Sequence, residues 1–149
     1  MNTGWLFVLA SAIAVVGIVT AFKQMMVVVE GKLEKEEVVS TNSLQKQLSG
    51  FFIRVALIES IPIVLIVFGF IQMETWVGNQ SDILLPLIII IIILVFGIIN
   101  VFLSRGSLLA FNDLPKEAKT FIQTLIFIGM AMVSAIPIIS IVAMFIMLG

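Results

Sequence analysis

The sequence predicts an all-α membrane protein with four transmembrane helices, and three observations carry that expectation. The chain is 61% hydrophobic and only 11% charged, with a mean hydropathy of +1.27, whereas an ordinary globular domain carries about 25% charged residues. Four predominantly apolar segments reach the roughly 17–25 residues that a helix needs to cross a bilayer. The second and fourth segments also repeat each other, which divides the chain into two similar halves.

The first segment runs from Gly4 to Phe22, with helix continuing towards Glu30. Its start, MNTGWLFVLA, lacks the basic n-region of a signal peptide, so it is expected to stay as a membrane helix. The second, Phe51 to Met73, reads FFIRVALIESIPIVLIVFGFIQM and holds one carboxylate, Glu59. The third, Ile83 to Leu103, is uncharged and contains PLIIIIIILVFGII; such isoleucine richness suggests a strand in water, but its length and context make it a membrane helix. The fourth, Phe121 to Leu148, carries no charge at all.

All eight basic residues (Lys23, Lys32, Lys35, Lys46, Arg54, Arg105, Lys116 and Lys119) lie in or beside the connections 23–50 and 104–120. The positive-inside rule therefore puts those two connections in the cytoplasm, and both termini and the ETWVGNQSD turn outside. Trp5 and Trp76 are expected at the outer interface. We expect a multi-pass integral protein of a bacterial cell membrane. The mixed charges of EGKLEKEEVVSTNSLQKQLS fit a solvated face or a docking platform, and the residues leave both open.

Composition removes several functions. The chain has no cysteine and no histidine, which excludes disulfides, thiolate chemistry and histidine metal sites or proton relays. A net charge of -1 makes no case for nucleic acid. There is no Walker-type loop, so no catalysis or bound cofactor is expected of this chain alone.

The repeat is gap-free. FIRVALIESIPIVLIVFGF (Phe52 to Phe70) lies over FIGMAMVSAIPIISIVAMF (Phe127 to Phe145), with Pro62 matching Pro137 and Glu59 matching Ser134. The preceding segments correspond as well, Gly17-Ile-Val-Thr20-Ala21 with Gly97-Ile-Ile-Asn100-Val101. The chain thus reads as two helical hairpins, 1–75 carrying Glu59 and 76–149 carrying Ser134.

Each hairpin resembles the c subunit, or proteolipid, of rotary ATP synthases and ATPases. The family's second helix carries a stretch like FIGIALVEALPIIAVV; FIGMAMVSAIPIISIV (Phe127 to Val142) is similar to it throughout, and FIRVALIESIPIVLIV keeps the family's carboxylate at Glu59. The family's GIGNG stretch corresponds to Gly97-Ile-Ile-Asn100-Val101, and its ARQPEA loop to Asp113-Leu-Pro-Lys-Glu117-Ala118. A duplicated form with one carboxylate per four helices resembles the vacuolar-type proteolipid, where the acid sits on the last helix rather than the second. Leu114 and Pro115 stand where the family's loop has Arg and Gln, and connection 23–50 lacks the motif and is longer. The first helix keeps a small-residue stripe, Ala10, Ala14, Gly17 and Ala21, suited to close helix packing; the third offers only Gly97.

The resemblance implies a homo-oligomeric ring of four-helix subunits. It implies as partners a stator subunit with a membrane arginine, and central-stalk and soluble ATPase subunits at the cytoplasmic loops. A carboxylate in hydrocarbon is costly and usually marks an ion pathway. Low dielectric favours its neutral form, which suits a reversible proton carrier. Arg54 is the nearest base, but five residues turn the helix by about 500°, leaving it about 140° from Glu59 around the axis, and it can snorkel to the rim. Thr20 and Asn100 stand where sodium-type c subunits carry a glutamine. With Ser60 they could cage Na+ or hydrogen-bond a protonated carboxyl; without the glutamine H+ is favoured. Ser134 makes the second hairpin a spacer, so a ring moves fewer ions per turn, which suits ATP-driven pumping. The competing expectations are a structural ring or scaffold derived from a c subunit, and a small four-helix transporter acting alone.

Overall fold

A computed structural model of the protein describes residues 2–34, 41–106 and 116–149. The described residues form four long helices: α1 (Thr3–Glu34), α2 (Thr41–Glu74), α3 (Ser81–Leu103) and α4 (Lys116–Leu148). All four are long and apolar enough to cross a membrane, as the apolar segments foretold. Helix is the expected outcome, because hydrocarbon offers no partner for backbone polar groups and a helix satisfies them within one segment. The isoleucine block of α3 is continuous helix.

The helices overrun the apolar segments at their charged ends. α2 begins at Thr41 rather than Phe51, and α4 at Lys116 rather than Phe121. At about 1.5 Å per residue a helix of some 32 residues is about 48 Å long, well beyond a hydrocarbon core of about 30 Å. Segments such as LQKQLS are polar but favour helix, so hydropathy ends before the helix does. Pro62, Pro86 and Pro137 all lie inside their helices. The loop motif at residues 113–115, including Leu114 and Pro115, and positions 35–40 of the first connection lie outside the described residues.

The centre of the molecule is α1, which packs against α2, α3 and α4, while α3 packs on α4 and α2 touches α4 only slightly. The consequence is visible in burial: 61% of the α1 membrane window is buried, against 22% for α2 and 28% for α3. Phe7, Ala10, Ala14, Val15, Ile18 and Phe22 are closed off completely. Phe7 meets Phe70 edge-on at 5.7 Å and Phe22 meets Phe51 at 5.9 Å, tying α1 to α2 near both ends.

Three features gather at one end. The turn after α2 is held by Trp76 N–H donating to the Met73 carbonyl at 3.3 Å. Gln80 Nε2 donates to the Leu148 carbonyl at 3.2 Å, bringing the end of α4 to this turn. Asn2 and Thr3 line one cavity with Gln72, Thr75 and Trp76. Both termini and the Trp76 turn therefore share an end, the arrangement expected from the charge distribution of the connections.

Candidate functional site

Glu59 lies half-buried on α2, one residue past Ile58, where α2 comes close to Gly17 of α1. That approach is made possible by Gly17, whose missing side chain leaves room for Ile58. The same junction occurs in the second half, where Gly97 of α3 makes room for Val133 of α4. Gly17 and Gly97 correspond in the repeat, as do Ile58 and Val133, so the sequence repeat has a geometric counterpart. Glu59 and Ser134 each follow the contact residue and turn away from it by the same ~100°. Pro62 and Pro137, three residues further, are both buried.

The other candidate oxygens are not gathered around the carboxylate. Thr20 Oγ1 donates to the Val16 carbonyl at 2.7 Å and Ser60 Oγ to the Leu57 carbonyl at 2.7 Å, each within its own helix. This is the usual way a hydroxyl is satisfied in a helix, and the oxygen lone pairs stay available to accept. Thr20 lines a groove of about 420 Å³ between α1 and α2, with Gly17, Gln24, Arg54 and Leu57. Asn100 faces a different groove, between α1 and α3, lined also by Lys23, Glu30 and Ser104. Ser134 Oγ donates to the Met130 carbonyl at 2.6 Å. Among the described residues no group of three acidic side chains could hold a metal ion.

Arg54 reaches across to α1, where its Nη1 donates to Gln24 Oε1 at 3.2 Å. It thus engages a neutral side chain on the neighbouring helix, on a face of α2 turned away from Glu59, as the helical angle between the two requires.

Two polar contacts were missed in the sequence. Lys23 Nζ donates to Asn100 Oδ1 at 2.8 Å, linking α1 to α3. Ser11 Oγ donates to Ser140 Oγ at 3.0 Å in a fully buried contact between α1 and α4. Ser140 also donates to the Ile136 carbonyl at 2.9 Å. Lone serines in apolar runs were the available signal, but which serine meets which depends on how the helices pack.

The fold and site define a four-span helical membrane protein whose second and fourth helices carry one carboxylate and, at the matching position of the sequence repeat, one hydroxyl. No protein-family model, curated protein or solved structure matches the chain.

Proposed function

We propose that the protein is an ion-translocating subunit of the rotor ring of a rotary ATPase membrane sector, built as two tandem helical hairpins, with Glu59 as the ion carrier. The observation that carries this reading is the paired junction, Gly17 with Ile58 and Gly97 with Val133. It supports reading Glu59 and Ser134 as equivalent positions on two equivalent hairpins, of which one keeps a titratable group. Glu59 sits at a half-exposed position on the least buried of the four helices. A carboxyl there can cross lipid in its neutral form and ionise on meeting water and a stator cation.

In this reading the carried ion is H+, with Na+ as the alternative, and ATP chemistry belongs to partner subunits. Ser134 cannot exchange a proton at neutral pH, so each copy carries one ion past the stator. The loss of the second carboxylate favours one competing reading, a c-subunit-derived ring retained as a scaffold.

The test is carbodiimide modification of the complex in native membranes. The reagent attacks a protonated carboxyl, so labelling of Glu59 is expected, falling as pH rises, with parallel loss of ATP-driven ion uptake. Glu59→Gln keeps the shape and removes the proton exchange, and is expected to abolish both labelling and uptake. Undiminished uptake by Glu59→Gln overturns the carrier role and leaves the scaffold.

A further inference from the structure

We propose that the groove between the end of α3 and the start of α4 holds an anionic phospholipid, with its phosphate at Arg105 and an acyl chain over Met130. The site stands apart from Glu59, and neither the rotor reading nor the scaffold reading depends on it.

The groove exists because the second half lacks one large side chain. In the first half Phe22 of α1 and Phe51 of α2 meet edge-on at 5.9 Å, and both are buried. The sequence repeat matches Phe102 with Phe22 and Ile126 with Phe51. An isoleucine does not reach as far as the ring it replaces. Phe102 is left 48% exposed, and a cavity of about 490 Å³ opens beside it. Phe102 and Arg105 line the α3 side, and Gln123, Ile126, Phe127 and Met130 line the α4 side.

The lining changes character along its length. Arg105 and Gln123 stand at the mouth, at the end of the molecule opposite the Trp76 turn. Phe127 and Met130 follow one and two turns deeper on α4, so the wall runs from polar to apolar over about 10 Å. A phospholipid has the same order, headgroup at the surface and chain inward. Free phosphate would leave the apolar wall uncovered, and a plain hydrocarbon would leave the cation unmet.

The charge at the mouth selects an anionic headgroup. Arg105 lies over the ring of Phe102, 4.9 Å from its centre, and a guanidinium so held still has N–H donors to direct outwards. Phosphate oxygens accept such donors in pairs. Lys119 lies one turn before Gln123 on the same face of α4, which adds a second positive charge. Glu117 lines a separate groove with Thr120 and Thr124. Basic pockets between membrane helices suit anionic lipid headgroups in this way.

The test is fluorescence quenching by brominated lipids, on the full chain in vesicles. Trp5→Phe with Trp76→Phe removes both native tryptophans. Phe127→Trp then places a reporter in the groove, at a position already 70% exposed. Phosphatidylcholine vesicles carry a minor fraction of brominated phosphatidylglycerol or, in parallel, of brominated phosphatidylcholine. The anionic lipid is expected to quench at the lower mole fraction. Arg105→Gln is expected to cut that preference about five-fold, the share of one basic side chain at a membrane surface, and Arg105→Lys to retain part of it. Ile126→Phe keeps every charge but fills the groove, and is expected to remove most of the preference. A Phe145→Trp reporter, 59% exposed near the other end of α4, is expected to show none. Equal quenching by both lipids overturns the site, as does a preference untouched by Arg105→Gln. A preference that survives Ile126→Phe and falls with Arg105→Gln reduces the effect to surface charge and overturns the groove. Quenching by neither lipid means that protein covers the groove, which overturns it as well.

Discussion

Replacing Gly97 by alanine tests the junction on which both halves of the molecule meet. A β-carbon there would lie 2.8 Å from Val15 Cγ1 and 2.9 Å from Val133 Cγ2, well inside the ~3.5–4.0 Å carbon separation of a relaxed contact. Both neighbours are β-branched and hold essentially one rotamer in a helix, and they belong to two different helices, α1 and α4. Neither can yield without moving its own helix. Overpacking of this kind costs about 1–3 kcal/mol. Against it stands the preference of alanine over glycine inside a helix, about 0.8–1.0 kcal/mol. The steric cost is the larger over nearly all of its range, and we expect Gly97→Ala to destabilise by about 0–2 kcal/mol, the difference of those two ranges. Denaturant titration in mixed micelles, followed by circular dichroism, measures it. In a Val133→Ala background one of the two clashes is gone, so the same substitution should cost roughly 1 kcal/mol less, a coupling that a double-mutant cycle isolates. A Gly97→Ala protein more stable than the parent, with no coupling to Val133, would refute the close three-helix approach.

Further outcomes follow from other contacts. Ser11→Ala removes the buried α1–α4 hydrogen bond and should cost about 0.6–1.7 kcal/mol in the same titration, the range for such bonds between membrane helices. Ser140→Ala should cost no less, because its hydroxyl bonds both Ser11 and its own helix. Ser134→Glu should create a second carbodiimide-reactive carboxyl, read as two labels per chain by mass spectrometry; a single label would deny the equivalence of positions 59 and 134. Arg54→Gln should leave the stability of the isolated chain within about 0.5 kcal/mol, since an exposed polar contact contributes little.

Much of the architecture was legible because it depends on local quantities. A run such as PLIIIIIILVFGII is helix once it must satisfy its own backbone in hydrocarbon, whatever its neighbours. Gly17 and Gly97, which match in the sequence repeat, each make room for a residue of the following helix, Ile58 and Val133. The helix ends were not legible, because polar segments with good helix propensity leave no mark in hydropathy. The candidate site was legible in part. Glu59 stands out as an acid in an apolar run, but Thr20 and Asn100 lie in separate grooves and Asn100 is engaged by Lys23.

By itself the sequence determined four membrane-length helices, a repeat of two similar halves and a lone carboxylate, because length, hydropathy and register are read along one dimension. Only the tertiary structure decided that α1 is the central helix, that Ser11 finds Ser140, and that Arg54 turns to Gln24. Those outcomes depend on which side of each helix faces its neighbours. In apolar segments like these nearly every side is hydrophobic, so the choice falls to the fit of glycines, alanines and β-branched side chains across the helix junctions.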